Sequence, residues 1–470
     1  MVDLARLLAA RGVSVTLITT PANADRIRST VLRAVNSGLD FRLHEIVFPS
    51  SDFGLPEGCE NVDALPTRDH LMSFLLAART MQGPLEGFVE EAKPRPTCIV
   101  SDKGFSWTED VARKSGIPWI LFHGTSCFTL FCTNNLVVSK AHENLLESDV
   151  VVIPGLPDEV EFRLCQLPGL FNPGKGLTFQ KIRKELNVSA ESADGLIVNT
   201  FEELEREYVK GLKKVWGDKV WCVGPLSLCN NDAVDMAGRG NNGFTAGNEH
   251  LRSLMSWLDS QVENSVLYAC LGSLDRVPPE QLKELGLGLE ASGRPFVWVK
   301  RGANKGEEFE EWLREDGYEE RVRGRGFLIR GWAPQMLILS HASVGGFLTH
   351  CGWNSSLEGI STGLPMVTWP LFADQFFNEK VILQILRVGV GVGATSTMHL
   401  GEEEDLGVTV MRESIKVAIE KVMNKEESVG MRDRAKKLGE MARLAMEECG
   451  SSYNDLTAFL EDSGKDLIHQ

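Results

Sequence analysis

With 470 residues the chain is too long for a single hydrophobic core and about right for two or three domains. Its 43% hydrophobic and 24% charged content excludes both a disordered chain and a membrane bundle. Acidic residues outnumber basic ones by 65 to 49, so the formal charge of −16 repels nucleic-acid phosphate and sets nucleic-acid binding aside.

The opening stretch Val2–Arg11 has helical apolar spacing, but Asp3, Arg6 and Arg11 interrupt it, which rules out a signal peptide. No uninterrupted apolar run approaches the roughly 20 residues of an integral membrane segment. The ten cysteines show neither a Cys-x-x-Cys pair nor the His spacing of a zinc site, which fits reduced thiols in a cytoplasmic protein. Asn187 and Asn354 then read as chance sequons.

β-branched apolar runs alternate with longer amphipathic segments, the pattern of parallel strands joined by crossover helices. The runs predict strands at Val13–Thr19, Phe41–Phe48, Thr97–Ser101, Pro118–Phe122, Gly195–Asn199 and Val220–Val223. Between Leu226 and Gly247 turn formers crowd together, which predicts an exposed interdomain linker. Strands resume at Ser265–Cys270, Pro295–Val299, Gly326–Ile329, Val344–Thr349 and Pro365–Trp369, and Arg412 to about Leu460 reads as amphipathic helices. The expected class is α/β, with two doubly wound Rossmann-like domains facing across a cleft. The first spans 1–225, a linker 226–249, the second 250–445, and a C-terminal helix in 446–470 packs back on the first. Ligands of such sheets sit beyond the carboxyl ends of the strands, so the cleft suits two substrates.

The chemistry concentrates after Gly331. Val344–Thr349 is a strand, Cys351-Gly352 a turn, and Asn354 a good N-cap for a helix stopping at Gly363. Strand, turn and helix together present free backbone N–H groups and the positive end of a dipole, which suits a phosphate. His350 and the Ser355 hydroxyl add donors, and Glu358, one turn beyond Asn354, can accept from a ribose diol. Trp332 and Gln335 supply a flat face and an amide, the means to stack a base and read its edge. Asp374-Gln375 follows the next strand and brings two partners for sugar hydroxyls. A sugar nucleotide satisfies all of these.

The 44 positions from Trp332 to Gln375 resemble, in length and content, the signature box of the plant family-1 UDP-glycosyltransferases. Ser101-Asp102, Val198–Glu205, Gly224-Pro225 and Leu271-Gly272-Ser273 extend the resemblance over almost the whole chain. It implies a fold of GT-B type and transfer of glucose from UDP-glucose to a hydroxyl of a small hydrophobic plant metabolite, such as a flavonoid or triterpenoid. By the same resemblance Trp332 stacks on uracil while Ala333 and Gln335 meet its edge. His350, Asn354, Ser355 and Ser273 hold the pyrophosphate, with Trp353 near phosphate and sugar. Glu358 takes the ribose, and Asp374 and Gln375 take the sugar, Gln at the last position being usual for glucose donors.

Displacement at an anomeric carbon needs a base and a means to stabilise departing UDP. With no Asp-x-Asp motif, neither metal nor cofactor is expected, and the helix N-terminus with His350 neutralises the diphosphate. A single displacement inverts the anomeric configuration. The resemblance also implies a basic histidine in a Gly-His turn after a first strand, oriented by the residue matching Asp102. That strand belongs immediately before the helix beginning at Met1 and is not in this chain. A carboxylate of pKa about 4 is a poor base for an alcohol, so the chain is expected to bind donor better than it turns over, and the rival reading is a non-catalytic UDP-sugar-binding chain.

Two decoys fall away. His123, in Phe122-His123-Gly124-Thr125, reads as a pocket-lining or structural residue rather than a substitute base, and His44 and His70 carry no signal. Gly286-Leu287-Gly288-Leu289-Glu290-Ala291 mimics a dinucleotide fingerprint but follows a helix instead of a strand. The acceptor pocket is expected among first-domain loops around Phe105, His123 and Leu164–Pro168.

Overall fold

The computed structural model describes residues 1–67, 70–174, 184–185, 187, 190–230, 233–238, 249–272, 277–300, 306–399 and 407–464. In chain order the strands of the first half are β1 (Val15–Thr19), β2 (Phe41–Glu45), β3 (Ile99–Asp102), β4 (Trp119–His123), β5 (Val150–Val152), β6 (Glu161–Arg163), β7 (Gly195–Val198) and β8 (Val220–Cys222). The second half has β9 (Val266–Cys270), β10 (Phe296–Lys300), β11 (Gly326–Arg330), β12 (Val344–Thr349), β13 (Met366–Thr368) and β14 (Gly389–Gly391). The second sheet runs β11-β10-β9-β12-β13-β14, with every neighbouring pair parallel. β9, β12 and β13 are buried along their whole length because helices cover both faces, which is why they read as unbroken apolar runs.

The first sheet is in two pieces. β3-β4-β7-β8 form one parallel sheet and β1-β2 another. Val15 N–H donates to Asp40 and Thr19 C=O accepts from Ile46, so the alternate residues Thr16 and Ile18 turn their backbone groups away from β2. Ile99 N–H donates to Pro118, which likewise turns Val100 away from β4. Both edges border one cavity of about 1380 Å³, lined by Val13–Thr20 on one side and Thr97–Asp102 on the other. Helices bridge the gap. The helix Val2–Ala10 buries Leu4 and Leu8 among Ile120, Phe122 and Trp221, and Ala5 and Ala9 against Phe41.

The helix Ser451–Ser463 lies on β8, where Phe459 meets Trp221 edge-on and Asp455 accepts from the Cys222 amide at 2.7 Å. The guanidinium of Arg11 stacks on Tyr453, 3.5 Å from the ring centroid. The helix Pro279–Ala291 contains the fingerprint-like glycines, and a Cβ at Gly288 would meet Ile415 at 2.9 Å, so glycine there admits the helix Arg412–Met423.

The described part of the segment read as an exposed linker is tied down instead. Leu226 is buried, and a short helix at Ala233–Gly238 carries a buried Asp235 paired with Arg6 and Arg33 and receiving Asn230 at 2.9 Å. Turn-forming composition records low apolar content, and it is blind to a charge anchored by distant arginines. The β5-β6 hairpin and β14 went unread because three residues are too few to show a period.

Candidate donor site in the interdomain cleft

β12 ends at Thr349, and the chain turns through His350, Cys351 and Gly352 into the helix Trp353–Ser361. The turn is tight. Cys351 sits at φ 63°, in the left-handed region that residues other than glycine rarely adopt, and its carbonyl accepts from Asn378 Nδ2 at 2.9 Å. A Cβ on Gly272 or Gly352 would lie 2.6 or 2.5 Å from His350 Nε2, so both glycines make room for the imidazole at the mouth of the helix.

The helix N-cap is Gly352, without a side-chain cap, and Asn354 is the second helical residue, which corrects the expectation that Asn354 caps the helix. Its amide is drawn elsewhere: Asn354 Oδ1 accepts from Asn199 Nδ2 of the first domain at 3.0 Å. The helix ends at Ser361, followed by Gly363 at φ 74°. One turn in, Glu358 Oε2 accepts from Gln335 Nε2 at 2.7 Å, and the same nitrogen reaches Ser355 Oγ at 3.1 Å. Tyr268 donates to Gln335 Oε1 at 3.3 Å and completes the amide's orientation.

Trp332, Gln335, His350, Trp353, Asn354, Ser355 and Glu358 all line the cavity that runs on to β1 and β3. Ala333 is buried beside them. Trp353 is almost wholly buried, and its Nε1 donates to Asn199 C=O at 2.7 Å, so the indole nitrogen serves the domain interface.

Beyond β13, Ala373 adopts φ 56°, and Asp374 takes the N-cap position of the helix Gln375–Lys380 without a side-chain capping bond. Asp374 Oδ2 accepts from Thr125 Oγ1 at 2.5 Å and from Asn378 Nδ2 at 3.2 Å. Gln375 is buried, and its Oε1 accepts from the Leu371 and Phe372 amides at 2.8 and 3.0 Å. Those two donors fix which end of the amide is oxygen, and neither Asp374 nor Gln375 is among the residues that line the cavity. Ser273 lies outside the described residues.

On the first domain, Asp102 ends β3 and is exposed; Oδ1 accepts from Gly104 N–H at 2.8 Å, an aspartate turn, and the residue lines the cavity. His123 ends β4 fully enclosed, and its Nε2 has no partner. Burial pushes its pKa down to about 3, and the nearby Lys103 ammonium adds to the shift, so the ring stays neutral. Phe105 lines the cavity, whereas His123 and Leu164–Pro168 do not. The latter segment is docked on the second domain, Cys165 accepting from the Thr397 amide at 2.8 Å. Sequence reading passed over Thr125, Ser126 and Asn378 as site residues; the available signal was the Ser126-x-x-Thr129 cap at the start of the helix Cys127–Ser139.

Two Rossmann-type units meeting across a cleft, with a strand–turn–helix anion cradle at the carboxyl end of the second sheet, define the GT-B class of glycosyltransferases. Residues 235–427 match the family described as "UDP-glucoronosyl and UDP-glucosyl transferase". UDP-glycosyltransferase 73C6 of Arabidopsis thaliana is 48% identical over 465 residues, covering 98% of this chain and 93% of that one. UDP-glycosyltransferase 73C12 of Barbarea vulgaris is 48% identical over 466 residues, with the same coverage. Among solved structures, Glycyrrhiza uralensis UGT73P12 complexed with glycyrrhetinic acid 3-O-monoglucuronide superposes with a TM-score of 0.91 at 37% identity, covering 99% of this chain and 92% of that one. The chain belongs to the plant family-1 UDP-glycosyltransferases. No described helix is long and apolar enough to cross a membrane.

Proposed function

We propose that the chain carries glucose from UDP-glucose to a hydroxyl of a small plant specialised metabolite, with inversion and without a metal. The observation that carries the reading is the convergence of Trp332, Gln335, His350, Asn354, Ser355 and Glu358 on one cavity at the N-terminus of the helix Trp353–Ser361. Base, ribose and pyrophosphate each find a complementary group there, in the order in which a nucleotide presents them. Asp374 and Gln375 Nε2 supply an acceptor and a donor for sugar hydroxyls. Helix dipole, turn amides and the His350 ring favour the leaving diphosphate. Among related structures, Phytolacca americana UGT2 is complexed with UDP-2fluoro-glucose and pterostilbene, and Arabidopsis thaliana UGT89C1 with quercetin. Such ligands, with the glycyrrhetinic acid glucuronide of the Glycyrrhiza structure, support a glucose donor and a hydroxylated, largely apolar acceptor of the flavonoid or triterpenoid kind.

The base is the open element. Asp102 stands at the carboxyl end of β3, beside the free edges of β1 and β3. A strand paired with both edges would end next to Asp102, and an imidazole on the following turn would reach its second oxygen. The competing reading is a chain that binds the donor without transferring it. The test is UDP release from UDP-glucose with a flavonoid and triterpenoid panel, comparing this chain with one extended by an apolar strand and a Gly-His turn. Turnover in the extended form alone supports the proposed base; equal turnover in both transfers that role elsewhere; none in either sinks the transferase reading.

A further inference from the structure

Glu205 is a charge-bearing residue in the first domain that the transfer chemistry does not use. It is 2% exposed, in the helix Glu202–Trp216, whose backbone kinks at this residue (φ −134°, ψ 33°) and turns the carboxylate inward. Its Oε2 accepts from the Phe128 amide at 2.7 Å. Its Oε1 accepts from the Cys127 amide at 3.3 Å and from the Thr200 hydroxyl at 2.5 Å. Cys127 and Phe128 open the helix Cys127–Ser139, which already has its own cap in Ser126 Oγ, accepting from the Thr129 amide at 3.0 Å. A buried carboxylate is costly to keep when a hydroxyl already caps the same helix, so what it holds needs explaining.

What it holds is a bridge. Two residues before that helix and one in its first turn bond Asp374 and Asn378, at the start of the helix Gln375–Lys380 in the second domain. Thr125 Oγ1 donates to Asp374 Oδ2 at 2.5 Å, Ser126 Oγ meets Asn378 Oδ1 at 3.2 Å, and Thr129 Oγ1 reaches the same oxygen at 3.2 Å. Thr200, the third donor to Glu205, adjoins Asn199, which bonds Trp353 and Asn354. Glu205 thus ties together the two places where the first domain grips the donor loops.

We propose that Glu205 is a positioning residue for the donor sugar: by fixing the start of the helix Cys127–Ser139 it sets where Thr125 meets Asp374, and so how Asp374 faces the sugar. The inference rests on the donor-site reading above. The base and ribose groups, Trp332 and Glu358, lie outside this network, and Asn354 on the pyrophosphate is reached only indirectly, through Thr200 and its neighbour Asn199, so the direct effect falls on the sugar end.

The experiment is calorimetric binding of UDP and of UDP-glucose to wild type, Thr125→Val, Glu205→Gln and the double variant, with thermal unfolding alongside. Gln keeps the volume but presents an N–H₂ to one of the backbone amides, so one bond of the cap is lost. Thr125→Val is expected to weaken UDP-glucose about tenfold while UDP is unchanged, the size of one hydrogen bond to a charged group. Glu205→Gln should act in the same direction, and its effect should vanish in the Thr125→Val background, because both act through one contact. Additive losses, equal losses for UDP and UDP-glucose, or no loss at all would overturn the proposal. Should Glu205→Gln fail to fold, Thr200→Val removes one donor with little change of shape and is held to the same non-additivity. Failure of the wild type to bind UDP would overturn the underlying donor-site reading instead.

Discussion

Trp353 Nε1 donates to the backbone carbonyl of Asn199 at 2.7 Å, and Asn199 Nδ2 donates in turn to Asn354 Oδ1 at 3.0 Å. One residue of the first domain therefore holds the first two residues of the phosphate-facing helix in the second. In the proposed donor site, nucleotide binding and domain alignment share these residues.

Replacing Trp353 with Phe removes the interface bond and leaves the Asn199 carbonyl buried without it. The expected cost is about 1–3 kcal/mol of stability, read as a lowered Tm in thermal unfolding. Asn199→Ala, which removes the amide bond to Asn354 and the Oδ1 bond to the Leu226 amide at 3.0 Å, should lower it comparably. An unchanged Tm in both would mean that the two domains align without this contact.

Glu358 is half-buried and tied to Gln335 at 2.7 Å, so its removal should cost binding rather than folding. Glu358→Ala is expected to weaken UDP by roughly tenfold to a hundredfold. Titration against tryptophan fluorescence checks it, since Trp332 lines the same cavity. A variant that loses stability but retains UDP affinity would remove Glu358 from the ligand site.

Two buried glutamates contribute a fall in stability with rising pH. Burial pushes the carboxyls of Glu205 and Glu379 up to about 7, against hydrogen bonds from Thr200 and the Phe128 and Cys127 amides in one and from Thr368 in the other. A raised folded value means that the native state holds protons the unfolded chain has already released. Stability contributed this way is complete below the ordinary value of 4.5 and is lost as pH rises toward about 7. His123, held below its ordinary value by burial, acts in the opposite direction over the same range, so the glutamates are read by difference in denaturation at constant ionic strength: Glu379→Gln should remove up to one proton's worth of the fall in stability between about 4.5 and 7 relative to wild type. An unchanged pH dependence in the variant would contradict the assignment.

The free edges of β1 and β3 make a prediction for amide exchange. Thr16, Ile18 and Val100 should exchange quickly in this chain although they sit inside regular strands, and Val15 and Ile99, bonded to Asp40 and Pro118, should be protected. In a chain extended by a strand that fills the gap, the first three should slow by orders of magnitude. Uniform protection in the unextended chain would show that the two pieces close on each other in solution.

Much of the architecture was legible because its causes are local. Strands buried on both faces must be apolar along their length, so β9 and β12 announced themselves as runs, as did β4 and β7. The candidate donor site was legible as a cluster because its residues crowd between Trp332 and Gln375, where one strand, one turn and one helix carry most of the groups proposed to hold a nucleotide. The chain's regular alternation also set the class of fold.

The tertiary structure alone decided how the two halves share that site. Asn199 and Trp353 are 154 positions apart and Thr125 and Asp374 are 249 apart, and no local period relates them. Asn354 looked like a cap because capping is a local rule, but its amide answers to Asn199 across the cleft. Asp235 looked like part of a free linker and is buried between two arginines from the first 33 residues. Sequence determines what each segment can form by itself. Which polar groups satisfy one another across a desolvated interface is settled only when folding brings distant donors and acceptors together, because an unpaired buried group costs more than any local preference returns.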